Sequence, residues 1–250
     1  MRRLRDILLS VWVYSLFLTS NAIVIPLLTS GVFLTAPFSS RASVMKRFRR
    51  MIRIYGLVVI NLGRPMMRVE YADKAGLKRV APYIFVCNHR SMLDAYFMSM
   101  FPIAQGIQVA NTWPFRIPVL GIYARMAGYL DINSMPPEEF FAAAGRFLAD
   151  GIPVIFFPEG TRSRGREMGS FHGGAFELFR RTRVPIIPVC ISGNETVMPK
   201  GAILLRPGVV RIRTLPAIRY EDCEGSNVYV VKNKVRRIMQ EELARMDAGA

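Results

Sequence analysis

The sequence predicts an α/β protein: a single domain with a mixed, largely parallel sheet flanked by helices, preceded by an N-terminal helical segment of different character. Three observations carry this. Two apolar runs, Tyr83 to Cys87 and Ile152 to Phe157, end abruptly in polar turns, as strands buried on both faces do. Between them Pro136-Pro137-Glu138-Glu139 opens a helix with proline and acids where a first turn favours them, and Gly151 closes it. Helix then precedes strand, as in a βαβ crossover. Finally, no charged residue occurs from Ile7 to Ser40, the longest uncharged stretch of the chain. A chain of 250 residues has room for one substantial core plus an appendage.

The uncharged run comes first. Arg2, Arg3 and Arg5 precede it, and Arg41, Lys46, Arg47, Arg49 and Arg50 follow it. Its composition is that of a membrane segment. A signal peptide has an apolar region of only ~7–15 residues and a small-residue cleavage site, which is not seen here. A single span needs ~20 residues, which Ile7 to Leu28 supplies. Both flanks are basic, however, and cytoplasmic flanks are the ones enriched in Lys and Arg. The run therefore reads as a hairpin or an in-plane anchor rather than a span, with Asn21, Pro26 and Gly31 as break points. Residues 44 to 62 interleave Met, Phe, Ile and Tyr with arginines. They form either an interfacial helix whose cations meet lipid phosphates or a connecting helix with a solvated basic face. Residues 1–62 make up the anchoring part and 63–250 the α/β domain.

Within that domain Met67 to Tyr71 alternates as a strand and Asp73 to Lys78 is a polar turn. After the strand Tyr83 to Cys87, a helix starting at Ser91 carries Tyr96, Phe97, Met100 and Phe101 as far as Pro102. Ile107 to Ala110 is a strand, Asn111 to Gly121 an irregular approach to another helix, and Gly128 to Ile132 a short strand. The helix from Pro136 turns Phe140, Phe141, Ala144, Phe147 and Leu148 inward. Ile186 to Ile191 is a buried strand and Val209 to Leu215 an alternating one. Val228, Val231, Val235, Ile238, Met239 and Leu243 line one face of a closing helix.

The chain carries 34 Lys and Arg against 18 Asp and Glu, a net charge of +16. Such a field attracts nucleic acid, anionic membranes and acidic carriers alike. The 51% hydrophobic content selects the membrane, because nucleic-acid arms are poor in apolar residues. Cys87, Cys190 and Cys223 are odd in number and far apart, so neither a disulfide framework nor a metal cluster is expected, in keeping with a reducing compartment.

Chemistry concentrates in the turn after the first apolar run, Asn88-His89-Arg90-Ser91-Met92-Leu93-Asp94. A neutral imidazole takes a proton from a hydroxyl near neutral pH. Asp94, in the first turn of the following helix, is placed to accept the second imidazole N–H of His89, fixing its tautomer and stabilising the imidazolium. The same residues also fit a capping box, in which His89 is an ordinary turn residue. The second turn, Phe157-Pro158-Glu159-Gly160-Thr161-Arg162-Ser163, ends the other apolar run. Parallel strands would deliver both turns to one crevice beyond their carboxyl ends.

These two stretches, in this order, resemble the first and third blocks of the glycerolipid acyltransferases, whose best-known members act on 1-acylglycerol-3-phosphate. Asn88-His89 with Asp94 matches the family's Asn-His-x-x-x-x-Asp, and residues 157–163 match its heptapeptide throughout. Val184 to Val189 looks like the fourth block, and the resemblance covers roughly residues 65 to 220. It implies acyl transfer from an acyl thioester to a lysophospholipid hydroxyl. His89 and Asp94 would be catalytic, and Asn88, Glu159, Gly160, Thr161 and Arg162 would bind substrate. Many relatives carry a lysine where Asn111 stands and an arginine where Ser134 stands, both on the acceptor's phosphate. Arg116 and Arg125 are candidate replacements, and His172 stands near where relatives have another cation.

The implied donor is acyl-CoA or acyl-acyl carrier protein, which makes the carrier protein a candidate partner beside an anionic membrane surface. No bound cofactor, metal or nucleic acid is implied. The active domain would face the cytoplasm. Three alternatives stay open: another lysolipid or an amine-bearing lipid as acceptor, a thioesterase using Cys87 or Ser91 as nucleophile, and a non-enzymatic basic membrane-binding protein.

Overall fold

A computed structural model describes residues 2–78, 80–118, 120–163 and 166–249. In chain order the elements are α1 (Arg2–Thr35), α2 (Arg41–Leu62), β1 (Met67–Asp73), β2 (Ile84–Cys87), α3 (Asp94–Phe97), β3 (Ile107–Ala110), α4 (Thr112–Arg116) and α5 (Leu120–Ala127). They continue as β4 (Leu130–Asp131), α6 (Pro137–Ala149), β5 (Val154–Phe156), α7 (Gly174–Thr182), β6 (Ile186–Ser192), α8 (Asn194–Val197), β7 (Gly208–Thr214) and α9 (Val228–Ala248). The strands lie in the order β1-β7-β6-β2-β5-β3-β4. Every pairing is parallel except β6 with β7, so the sheet is mixed and largely parallel, as the sequence predicts.

β2 sits in the middle, and all four of its residues are buried. Its side chains alternate between two cores, the period-2 consequence of a strand covered on both faces. Ile84 and Val86 join Phe140, Phe176 and Val235 beneath α6, α7 and α9, whereas Phe85 and Cys87 join Phe97, Phe101 and Ile60 beneath α2 and α3. Val86 pairs with Phe156 of β5. The two strands therefore end level, and the turns that follow them emerge at the same edge.

The N-terminal segment differs from the sequence expectation. α1 runs unbroken through Asn21, Pro26 and Gly31. Proline removes one intrahelical hydrogen bond, but the helix continues around it, and nearby polar side chains bond back to α1 carbonyls, Asn21 to Phe17 and Thr29 to Ile25. The reversal falls later, at residues 36–40, where a short 3-10 turn containing Pro37 leads to Ser40, whose side chain caps α2 by accepting from the Ser43 N–H. The hairpin is thus made by α1 with α2, turning at the very end of the uncharged run rather than at Asn21, Pro26 or Gly31. Five side chains hold α1 along its length by polar contacts: Ser10 to the Leu205 backbone, Tyr14 to the Ile203 carbonyl, Asn21 to Tyr55, Thr29 to Tyr123, and Thr35 to Arg47. These positions fall on one helical face, while Leu4, Leu8, Val11, Leu18 and Leu27 are exposed. Among the described residues α1 is the one helix long and apolar enough to cross a membrane.

Candidate active site

β2 hands the chain to the site through Asn88. Its carboxamide donates to the Ile191 carbonyl (2.9 Å) and accepts from the Ile191 N–H (2.7 Å), continuing the ladder to β6 by one side-chain step. Asn88 is fully buried and both its amide ends are used. Where the sequence expects a substrate ligand, the residue sets the register from which His89 departs.

His89 Nδ1 lies 2.8 Å from Asp94 Oδ2. The same oxygen accepts from the backbone N–H of Arg90 (2.8 Å) and Ser91 (2.9 Å), and Oδ1 accepts from the Asn194 side chain. Asp94 is fully buried, and both its oxygens accept from N–H donors, as an ionised carboxylate does. An ionised carboxylate only accepts, so Nδ1 carries the ring proton and Nε2 presents its lone pair. The capping and catalytic readings turn out to describe one carboxylate: Asp94 reaches back to the Ser91 N–H as a capping box does, and it orients His89 as well. The imidazole, 23% exposed, rests on Phe157 with ring centroids 4.8 Å apart and lines a cavity of about 860 Å³.

The two sequence blocks are stitched to each other. Glu159 Oε1 accepts from the His89 N–H (2.8 Å), and the Ser163 N–H donates to the His89 carbonyl (2.8 Å). Glu159 Oε2 accepts from the Gly169 N–H (2.8 Å) and from the Ser163 hydroxyl. Glu159 borders the cavity, but both its oxygens are taken by the protein's own donors. Against the sequence expectation of an acceptor ligand, it fixes the two turns together. Gly160 has φ +68°, and a Cβ there would meet His172 Nε2 at 3.0 Å, so only glycine fits without strain. Thr161 and Arg162 line the cavity. The Lys200 ammonium donates to the Arg162 carbonyl, while the guanidinium makes no hydrogen bond or ion pair among the described residues.

Arg116 and Arg125 are not brought to this cavity. Arg116 is exposed at the end of α4, and Arg125, also exposed, donates to the Phe115 carbonyl (2.7 Å). Asn111 donates to the Gly160 carbonyl (2.8 Å), and the Ser134 hydroxyl donates to the Asp131 carbonyl, so neither position supplies a cation. Besides Arg162, the arginines that line the cavity are Arg49 and Arg53 of α2. Arg49 is buried against Gln105 and the Ala127 carbonyl, and burial lowers its pKa. His172 is an exposed residue at the cavity's edge. Among the described residues no three His, Cys, Asp or Glu side chains converge as metal ligands.

The alternative nucleophiles are occupied. Cys87 is fully buried against Met98, and burial, followed by the nearby Asp94, pushes its thiol pKa well up, away from the reactive thiolate. Ser91 is fully buried and accepts from the Leu93 N–H.

Two contributors have no local signal in the sequence. Asn194 reaches Asp94 from a hundred residues away, aimed by Gly193, whose φ is +87° and where a Cβ would meet the Val209 carbonyl oxygen at 2.0 Å. Arg90, beside the histidine, points away from the cavity to Asp247 near the end of α9 (3.1 Å).

Fold and site together define an α/β protein that holds a His–Asp pair at the carboxyl edge of a parallel sheet. The chain belongs to the acyltransferase family, whose model matches residues 68–192. A chloroplastic 1-acyl-sn-glycerol-3-phosphate acyltransferase of Arabidopsis thaliana is 32% identical over 167 residues, 65% of this chain and 45% of that protein. One from Chlamydomonas reinhardtii is 35% identical over 162 residues, 61% of this chain and 48% of that protein. One from Salmonella typhimurium is 26% identical over 185 residues, 72% and 75% respectively. The match thus spans about half the length of the plant and algal relatives. The crystal structure of the 1-acyl-sn-glycerophosphate acyltransferase PlsC from Thermotoga maritima shares the fold, with a TM-score of 0.81 over 99% of this chain and 98% of that one, at 22% identity.

Proposed function

We propose that the protein moves a fatty acyl group from an acyl thioester, on coenzyme A or acyl carrier protein, to the free hydroxyl of a lysophospholipid, with 1-acylglycerol-3-phosphate as the acceptor and phosphatidic acid as the product. One observation carries this reading: a histidine on the wall of a large, mostly apolar cavity has Nδ1 held by a buried carboxylate whose other lone pairs are filled. Nε2 takes the hydroxyl proton as that oxygen attacks the thioester carbonyl. The tetrahedral intermediate then expels the thiolate, which takes the proton back from the imidazolium. Neither a metal nor a bound cofactor is needed for these steps. Arg162, with its guanidinium uncommitted among the described residues, donates hydrogen bonds to the acceptor's phosphate in this scheme.

Membrane attachment belongs to the same proposal. From Ser10 to Thr29, a rise of ~28 Å, α1 is fastened to the rest of the protein on one face. This supports a helix lying in the interface with its outer face in lipid, while the basic flanks at Arg2, Arg3 and Arg5 and from Arg41 to Arg50 are what favour a cytoplasmic side for the active domain. High salt would not release such a protein, because apolar burial is not screened.

A second acceptor reading has an observation of its own. Asn111 and Ser134 spend their side chains on the protein backbone where relatives place cations, which favours a phosphodiester or phosphate-free lysolipid. Purified protein given an acyl thioester with lysophosphatidic acid and a zwitterionic lysophospholipid in competition decides between them. Preference for the zwitterion overturns the stated acceptor, and no acyl product from either overturns acyl transfer.

A further inference from the structure

α4 and α5 form a compact shoulder beside the cavity. A Cβ on Gly121 of α5 would lie 2.1 Å from the Phe115 carbonyl oxygen of α4, so the two short helices touch backbone to backbone. Their inner faces bury Phe115, Ala124 and Ala127. The outer face is unusual for a surface: Trp113 is 55% exposed and Ile122 54%, with Ile117 and Leu120 also exposed. A patch of this kind marks an interaction site. Arg116 and Arg125 stand among these side chains. Neither has a carboxylate partner among the described residues, and no acidic residue occurs from 112 to 130.

Two adjoining features say what covers the patch. Trp113 and Leu120 also line the cavity, so the patch is the cavity's rim. Tyr123 of α5 bonds to Thr29 of α1 (2.6 Å), and together with Leu18, Ile25, Phe33 and Leu34 it lines an open apolar groove, so the patch continues onto the exposed face of α1. Exposed aliphatic residues, an amphipathic tryptophan and unpaired arginines are the composition of a surface seated among lipid headgroups. We infer that the α4–α5 shoulder is a second bilayer-contact surface, with Trp113, Leu120 and Ile122 entering the interface and Arg116 and Arg125 on anionic lipid phosphates, so that the cavity rim opens into the membrane. This assigns the two arginines to the bilayer rather than to the acceptor inside the cavity. It rests on the reading of the acceptor as a membrane lipid.

The test uses the full chain, whose tryptophans are Trp12 and Trp113. Trp12→Phe leaves Trp113 as the only reporter. The protein is reconstituted in phosphatidylcholine–phosphatidylglycerol vesicles with brominated acyl chains. Trp113 emission should shift to the blue and fall by about half or more. Unchanged emission in protein that floats with the vesicles would show α1 alone in contact and overturn the inference. Because quenching is read without turnover, it stands or falls independently of acyl transfer.

Arg116→Gln with Arg125→Gln tests the charged half. Each cation near an anionic surface is worth about fivefold in binding, so transfer of the double variant from detergent to anionic vesicles should weaken by roughly 25-fold, and transfer to neutral vesicles by less than twofold. The KM for a monodisperse short-chain acceptor should stay within about twofold. A larger rise in that KM, or equal weakening on neutral vesicles, means that the arginines read something other than the bilayer and overturns their assignment.

Discussion

The loop around Asp94 and the helix α1 solve opposite problems. At Asp94 four donors converge on one buried carboxylate, and the residue before His89 is locked to β6 by two hydrogen bonds. Along α1 five side chains make polar contacts spread between Ser10 and Thr35, and the outer face is bare aliphatic surface. Dense directional bonding fixes an atom to a fraction of an ångström, as proton transfer requires. Sparse bonding with broad apolar exposure fixes only a face, which is all that the interfacial placement proposed above asks.

The strongest way to break this contrast is at the pair itself. His89→Ala should abolish acyl transfer with the fold intact by circular dichroism, and Asp94→Asn should lower kcat by about 10³–10⁴, because an amide in that place can hold the wrong tautomer. A few per cent of residual activity in His89→Ala would mean that the dense region is structural only. Asn194→Ala comes next. It removes one hydrogen bond to a charged group, worth about 1.5–3 kcal/mol, so kcat should fall by roughly 10- to 100-fold with the acceptor KM little changed. A pure KM effect would place Asn194 outside the positioning shell.

The sparse region should yield smaller changes. Thr29→Val deletes the bond to Tyr123 and should cost about 1 kcal/mol or less, seen as a thermal shift of a few degrees in detergent. A loss above ~3 kcal/mol, the upper limit for such a bond, would show that α1 is held as tightly as the active site. Smallest of all is the surface of α7. Hydrogen bonds from Arg180 and Arg181 hold the Glu177 carboxyl down to about 2, from an ordinary 4.5. A depressed carboxylate stabilises the fold fully above its unfolded pKa, and that contribution is lost as pH falls from about 4.5 towards 2. Glu177→Gln should therefore cost less than about 1 kcal/mol at neutral pH and nothing near pH 2. Equal destabilisation at both pH values would contradict the ion-pair origin.

What the sequence revealed follows from the range of each interaction. β2, β5 and the turns after them were legible because an apolar run and its terminating turn are local patterns, and His89 with Asp94 lie within one turn of each other. Pro26 misled because the loss of one backbone bond does not break a helix whose neighbours hold it, and the reversal at residues 36–40 depends on α2 packing back on α1. α7 was missed because it opens on Gly173-Gly174, poor helix formers that here begin a helix burying Phe176 and Phe179. Arg116 and Arg125 are candidate replacements for the cations absent at Asn111 and Ser134, but both are exposed outside the cavity, a placement that depends on how α4 and α5 pack and that no local pattern carries. Asn88 and Glu159 lie in the right turns, yet their partners Ile191 and Gly169 belong to segments that no local pattern connects to them.

The bond from the Ile191 amide to the Asn88 side chain also provides a clock. That amide proton meets solvent deuterium only when the residue preceding His89 leaves β6. Its exchange rate, read at one position by mass spectrometry or NMR, therefore counts how often the active site dismantles itself. Comparing that rate with those of neighbouring β6 amides, whose partners lie in other strands, would time the loop separately from the sheet.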